Sequence, residues 1–401
     1  MLFKMDRNFL NFALSLYIPG FFINLGWGIV SPILPIYAES FGVPYALVAM
    51  VTTANALGRL VFDIPLGALC DRVGRRPLSV VGPLLVTLFA ILSGVAQSFY
   101  ELLLYRAMTG IAMSMWMIAR QAIIADSIDH SIRGRVLSTF QGVNMMGSAA
   151  GPGVGGIVAE LWGMRAPFFF YAASTFVSLV ACLLLVKESS QKQRMPSRER
   201  GHSSMRQVLS FLTFPILIAA FTNFTNHIRF AARGVLIPLY GNDVLRMSTG
   251  EIGLVLSAST FANVLMVVPG GYIVDRYGRK IALVPAFVLT GVVFALFPFA
   301  RDFASLAVVS FLLGVVSGIG GGATMAIAAD LSPEGSKGFF LGFWQTVGDL
   351  GSAVGPVALG LLADLYGLVS PFYATTVLML FAATTTQLFV RETLRPRKKG
   401  G

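Results

Sequence analysis

Blocks of apolar residues long enough to cross a bilayer recur along this chain, and they narrow its possible folds more than any other feature. Residues 207–226 and 281–300 contain two of them, and a helix needs ~20 residues to span the hydrocarbon core. In that medium every backbone polar group must be satisfied internally, so only helices and closed barrels can cross. A barrel would show short alternating segments, and none is apparent. Composition agrees: the chain is 55% hydrophobic and 12% charged, about half the charge usual for a soluble protein. The chain therefore reads as an all-α polytopic membrane protein. Its first apolar block starts near Phe9 with no small-residue cleavage site before the next block, so it reads as an uncleaved first span. Cys70 and Cys182 lie far apart in sequence and suggest no disulfide framework.

Polar breaks between the blocks give twelve transmembrane helices. Their expected limits are 9–37, 44–69, 76–97, 100–126, 136–161, 166–186, 207–240, 249–272, 279–299, 303–329, 337–363 and 368–390; they are called spans 1 to 12 below. The 30 Lys and Arg residues set their direction. With the N-terminus inside, only Arg165, Arg246 and Arg301 fall in outer loops, and Arg59, Arg106, Arg120, Arg229 and Arg233 lie within spans. All the others face the cytoplasm, which is the positive-inside bias. Both termini are thus expected in the cytoplasm, in a plasma or bacterial inner membrane. The same bias accounts for the net charge of +11 without a nucleic-acid partner.

Residues 187–206, KESSQKQRMPSRERGHSSMR, are polar, basic and free of apolar periodicity, and read as a solvated cytoplasmic linker. It separates an N-terminal six-helix bundle (1–186) from a C-terminal one (207–390), and a basic cytoplasmic tail follows (391–401). The two halves are repeats. GALCDRVGRR at 67–76 recurs as GYIVDRYGRK at 271–280, an offset of 204 residues. At that offset Pro65 matches Pro269, Gly110 matches Gly314, Asp126 matches Asp330 and Gly151-Pro152 matches Gly355-Pro356. Two parallel repeats related by pseudo-two-fold symmetry point to a transporter that binds a small molecule near the midplane and alternates access by rocking.

Twelve spans arranged as six plus six, a basic central linker, and GALCDRVGRR between spans 2 and 3 together resemble the major facilitator superfamily. The resemblance covers essentially the whole chain. In each doubled turn, Gly67, Gly74, Gly271 and Gly278 permit tight packing and unusual backbone angles. Asp71 and Asp275 are anions near the inner surface, where a helix start such as that at Gly338 or Gly134 would attract them by ~0.3–1 kcal/mol. Arg72, Arg75 and Arg76, with Arg276 and Arg279 in the repeat, enforce topology. The resemblance further implies that Asp71, Arg72 and Arg75 belong to a conformational latch, with Asp126 a partner for the arginines; Gly67, Gly74 and Arg76, and Gly271, Asp275, Arg276, Gly278 and Arg279 of the repeat, are expected to serve it too, each half carrying a latch for the other. Arg59 and Asp63, four apart on span 2, are expected to form an intrahelical pair.

Span 5 carries GSAAGPGVGG at 147–156, in which Gly147, Gly151 and Gly155 form a stripe that lets helix backbones approach closely. This string resembles the motif that marks proton-coupled antiporters, multidrug exporters included. Its tail is complete at Gly151, Pro152, Gly155 and Gly156, while its leading glycine is replaced by Ser138. Span 11 repeats it in part as GSAVGPVALG.

Ionisable residues within spans are costly and so mark function. Asp349 is the one acid near mid-bilayer, and burial favours the protonated form of a carboxyl; a static ion pair with Arg229 or Arg233 is the competing role. On span 4, Arg106, Gly110, Met113, Met117 and Arg120 share a face, and LLLYRAMTG resembles the family signature in which an arginine, here Arg106, is linked to proton transfer. On span 7, Asn223, Asn226, Arg229 and Arg233 line one side with His227 beside them, and must face protein or a water-filled cavity. The family places spans 1, 4, 7 and 10 around such a cavity, to which span 1 would add Asn24, Trp27 and Ser31. GIGGG at 318–322 of span 10 suggests a bend.

These features read as a secondary active transporter, without a Walker loop for ATP and without an enzyme's nucleophile–base or metal constellation. The expected function is proton-coupled export of small amphipathic or drug-like molecules, with the proton as coupling ion, no other cofactor, and a monomer in the bilayer. The arginine-rich cavity supports an alternative, a facilitator or proton-coupled transporter of an organic anion held by guanidinium groups. A non-transporting membrane sensor is the third reading, and two intact turns argue against it.

Overall fold

The computed structural model describes residues 7–127, 130–186, 213–333 and 337–394. The linker 187–206 and residues 395–401 of the tail lie outside them. All regular structure among the described residues is helical, and ten helices are long and apolar enough to cross a membrane. The two remaining spans are 5 and 7, the ones with polar and charged stretches inside them. With these, the twelve-span pattern is complete.

Span 1 comprises Arg7–Val30 and Ile33–Glu39; spans 2 to 6 are Tyr45–Val73, Arg75–Val95, Phe99–Ser127, His130–Trp162 and Ala166–Leu185. Span 7 is Phe214–Leu239, extended by one π-helical turn at Tyr240–Val244. Spans 8 and 9 are Thr249–Tyr277 and Arg279–Leu296. Span 10 breaks into Phe303–Gly320 and Ala323–Leu331; spans 11 and 12 are Lys337–Tyr366 and Ser370–Phe389. The break in span 10 falls at Gly321–Gly322, inside the glycine run where a bend is expected. The break in span 1, at Ser31–Pro32, was not foreseen, although Pro32 lacks the N–H that a continuous helix needs.

The described residues pack as two compact units. One holds spans 1 to 6 together with Pro238–Ser257; the other holds the rest of span 7 and everything from residue 258 onward. The end of span 7 and the start of span 8 therefore pack with the N-terminal helices rather than with their own repeat. In the first unit Leu16, Ile23, Trp116, Phe140 and Cys182 form a buried cluster. In the second, Phe287, Phe340, Trp344 and Met379 belong to another. Glycines set the same helix crossing in both units. A Cβ on Gly110 would lie 2.2 Å from the Asn55 carbonyl oxygen, and one on its repeat equivalent Gly314 would lie 2.0 Å from that of Ser259.

Candidate functional site

Span 4 supplies the polar face of the first unit. Arg106 is only 1% exposed, and its guanidinium lies 5.0 Å from the centre of the Trp27 ring. Its Nε and Nη1 have no hydrogen-bond partner among the described residues. A buried cation normally has partners for every donor, and this one has two donor atoms to spare. Arg120, about four turns along the same face, stacks over Trp116 at 4.7 Å and Phe140 at 4.4 Å. Met113 and Met117 pack on the same cluster. Asn24 donates to the Gly20 carbonyl of its own helix at 2.8 Å. Asp63 does not form the expected pair with Arg59: it accepts a hydrogen bond from Ser114 of span 4, a neutral partner reached because spans 2 and 4 cross at Gly110.

Span 7 supplies the polar face of the second unit. Asn223 is buried, and its amide donates to the Trp344 carbonyl at 2.8 Å. It ties span 7 to span 11. Arg229 is also buried; it donates to Ser317 and, at 2.9 Å, to Asn226 Oδ1, with its Nε unpartnered. Arg233 donates to Thr260. Neither arrangement is the static pair with Asp349. The Asp349 carboxylate instead accepts the Gln345 amide at 3.1 Å, one turn back on its own helix. His227 contacts Ser352 at 3.2 Å, and a Cβ on Gly348 would fall 2.6 Å from its Nε2. Gly348 thus leaves room for the imidazole on the residue next to Asp349.

The doubled turn is shorter than its sequence suggests. Asp71 and Arg72 complete the last helical turn of span 2, both exposed, and Gly74 alone separates span 2 from span 3. Gly74 has φ 104° and Gly278 has φ 127°, in the region only glycine tolerates. Gly67 and Gly271 face open space, so close packing does not require them. In the second copy Arg279 pairs with Asp275 at 3.4 Å and with Asp330 at 3.2 Å. Asp330 is the repeat equivalent of Asp126, whose side chain lies outside the described set. Glu392 accepts the backbone N–H groups of Arg279 and Lys280 at 2.9 and 3.0 Å, capping the start of span 9. Arg276 stacks over Tyr272 at 5.5 Å, and Arg76 donates weakly to the Leu183 carbonyl at 3.5 Å. Gly278→Ala is expected to cost at least ~1–2 kcal/mol from its backbone angle, and its Cβ would in addition meet the Glu392 carboxylate. Gly271→Ala is expected to cost nothing. Thermal unfolding of the two purified variants checks the difference.

The sequence profile of the Major Facilitator Superfamily matches residues 16–249 and 223–401, which together take in nearly the whole chain. The chain belongs to the major facilitator superfamily. Among curated relatives, it is 27% identical over 389 residues to the multidrug resistance protein MdtG of Enterobacter lignolyticus (strain SCF1), covering 93% of this chain and 90% of that one. It is 24% identical over 380 residues to the multi-drug resistance efflux pump PmrA of Streptococcus pneumoniae, covering 92% and 94%. Its fold is similar to that of a bacterial homologue of the human lysosomal transporter Spinster, solved inward-facing and unoccupied (TM-score 0.79, 15% identity, 98% of each chain). It is similar also to the nucleoside transporter NupG (TM-score 0.76, 14% identity, 94% of this chain and 100% of that one). As a superfamily member the protein is a multi-pass membrane transporter of a small molecule.

In this superfamily member the span 5 glycines work as backbone contacts. A Cβ on Gly147 would lie 2.6 Å from the Phe21 carbonyl oxygen, one on Gly151 2.5 Å from Gly28 Cα, and one on Gly155 1.8 Å from the Ile29 carbonyl oxygen. Gly351 makes the matching approach to Phe224 of span 7 at 2.4 Å. Gly156 faces the other way, onto Gly253 at 2.8 Å, and Pro152 is buried. Sequence reasoning missed a polar contact at the far end of the first unit, where the Tyr45 hydroxyl donates to Asp243 at 2.9 Å.

Proposed function

We propose that this transporter is a proton-coupled exporter of small amphipathic or drug-like molecules, working by alternating access as a monomer in the cell membrane with both termini in the cytoplasm. The observation that carries the coupling is the setting of Asp349. A carboxylate inside a span, held by the neutral Gln345 amide and not by a guanidinium, can take up and release a proton without breaking an ion pair. Arg229, the nearest alternative partner in sequence logic, is occupied by Ser317 and Asn226. A proton moving inward gains ~2.3 kcal/mol per 100 mV, enough to drive export uphill. The relatives named as a multidrug resistance protein and an efflux pump support the substrate class. In this reading Arg106 responds to the proton, while Trp27, Met113, Met117, Arg120, Asn226, His227, Arg229 and Arg233 meet the substrate. Asp71, Arg72 and Arg75 serve the latch.

A second reading rests on Arg229 and Arg233, two guanidinium groups one turn apart on span 7. They would suit an organic anion, moved with or without protons.

The test is proton flux in proteoliposomes with a trapped pH dye and an imposed gradient, to which cationic, neutral and anionic amphiphiles are added. Cationic or neutral compounds are expected to trigger flux, and Asp349→Asn to reduce it at least tenfold. Full flux in that variant would move the proton to His227 or Asp63. Movement of labelled substrate without any proton flux would leave the facilitator in its place.

A further inference from the structure

Span 5 and the start of span 8 share a contact that the transport reading does not use, and it is made largely on backbone. Thr249, Gly253 and Ser257 follow one another at intervals of four on span 8 and so lie on one face of it. Gly253 brings that face close: a Cβ on it would lie 2.5 Å from the Pro152 carbonyl oxygen and 2.8 Å from Gly156 Cα. Thr249 donates to the Gly156 carbonyl at 3.3 Å. One turn beyond Gly253, Ser257 reaches the main chain of span 5. Its Oγ accepts the Gly153 N–H at 2.7 Å and donates to the Ala149 carbonyl at 3.0 Å.

Gly153 and Ala149 are four residues apart. In a regular α-helix the N–H of the first bonds the carbonyl of the second. The Ser257 hydroxyl holds both groups, so a side chain of span 8 stands in a rung of the span 5 ladder. Insertion of this kind is one of the few causes that bend or open a long helix. The neighbouring rung is absent outright, because Pro152 has no N–H to give the Ser148 carbonyl. That carbonyl faces Gly28 of span 1, whose Cβ would lie 3.2 Å from it. Ser148 in turn directs its own hydroxyl back to the Asn144 carbonyl at 3.1 Å, a bond that loosens helices. Span 5 still runs as one helix from His130 to Trp162. Ser257 therefore enters it where its own ladder is already interrupted.

We infer that Ser257 is a positioning residue for alternating access, acting as an exchangeable rung of span 5. While the start of span 8 lies against span 5, the hydroxyl bridges Ala149 and Gly153. When span 8 withdraws, the Gly153 N–H closes directly onto the Ala149 carbonyl. No backbone group is left unsatisfied in either arrangement. Unsatisfied backbone groups are what make polar contacts hard to part inside a bilayer, so the exchange lets this one open and reclose. At the exposed end of the same crossing Ser248 donates to Glu160 at 3.1 Å, where water can replace either partner.

This inference rests on the alternating-access reading; it does not depend on the substrate or on Asp349. With both termini in the cytoplasm, as proposed above, the crossing lies in the outer half of the bilayer, and Ser257 favours the arrangement closed on that side. The closed crossing has two hydrogen bonds made through the hydroxyl, and the open one has the single direct rung in their place. Ser257→Ala leaves the direct rung in both arrangements and so removes the preference.

The test uses the full-length protein in lipid bilayers, with Cys70 and Cys182, both buried and free, replaced by alanine. Spin labels at Leu161→Cys and Val244→Cys, exposed positions on the two elements, report by dipolar coupling how often the crossing is closed. Two distances are expected in the wild type. Ser257→Ala is expected to lower the closed-to-open ratio about fivefold, the contribution of one net hydrogen bond, and Ser257→Thr, which keeps a hydroxyl, to stay near the wild type. The second readout is the Gly153 amide. Carbonyl-labelled proline combined with nitrogen-labelled glycine marks only the peptide units that precede Gly20, Gly153 and Gly270. Hydrogen exchange at Gly153 is expected to be as slow in Ser257→Ala as in the wild type, because the direct rung closes. An unchanged ratio in Ser257→Ala, or exchange at Gly153 about tenfold faster, would overturn the inference. Loss of the folded protein in Ser257→Ala with Ser257→Thr intact would overturn it too, since the serine would then be a fixed part of the fold. A single distance in the wild type, with and without a proton gradient, would overturn alternating access at this face, and the exchange would fall with it.

Discussion

Gly155→Ala is expected to lower the stability of the purified protein by ~1–3 kcal/mol and to abolish transport, through one added methyl group. The new Cβ would sit 1.8 Å from the Ile29 carbonyl oxygen. That atom belongs to the backbone of span 1 and cannot swing aside as a side chain can, so spans 1 and 5 must separate, and overpacking of this kind costs ~1–3 kcal/mol. Gly142→Ala on the same helix is the control. Its Cβ meets nothing within 4 Å, and alanine is the better helix former by ~1 kcal/mol. Melting curves and transport assays on the two variants decide the matter. If Gly155→Ala behaves like Gly142→Ala, the span 5 stripe is not a packing seam, and its role must be sought in substrate or lipid contact.

Arg106→Met is expected to reduce transport at least a hundredfold while leaving the melting temperature unchanged or raised. The reason lies in the opposing costs of a buried charge. Arg106 is 1% exposed with two donor atoms unpartnered, so removing it relieves a desolvation penalty; replacing buried ionic groups by apolar ones is often neutral or stabilising by ~1–4 kcal/mol. Against that stands the Trp27 contact at 5.0 Å, worth ~0.5–2 kcal/mol. A residue that costs the fold something and is still present is expected to serve the transport cycle. A fall in melting temperature equal to that of Gly155→Ala would make Arg106 a structural residue, and retained transport would remove it from the mechanism altogether.

Hydropathy and spacing are local properties, and the sequence alone determined what depends on them: the spans, the repeat at 204 residues, and the glycine stripe of span 5 that turned out to face span 1. The bend in span 10 was legible because glycine weakens a helix wherever it is placed. Partner choice is not local. Arg59 and Asp63 stand four apart, as an ion pair should, yet Asp63 accepts Ser114 because Gly110 lets span 4 in. Asn223 shares a helix face with Arg229, yet its amide donates to the Trp344 carbonyl of another helix, a partner that no pattern in span 7 encodes. Four glycines mark the doubled turns identically in sequence, and only backbone angles show that Gly74 and Gly278 are required where Gly67 and Gly271 are not. Tyr45 and Asp243 were visible as residues. Only the tertiary structure brought them into one hydrogen bond, because a contact across 198 residues is decided by how helices pack, and no pattern within either segment encodes it.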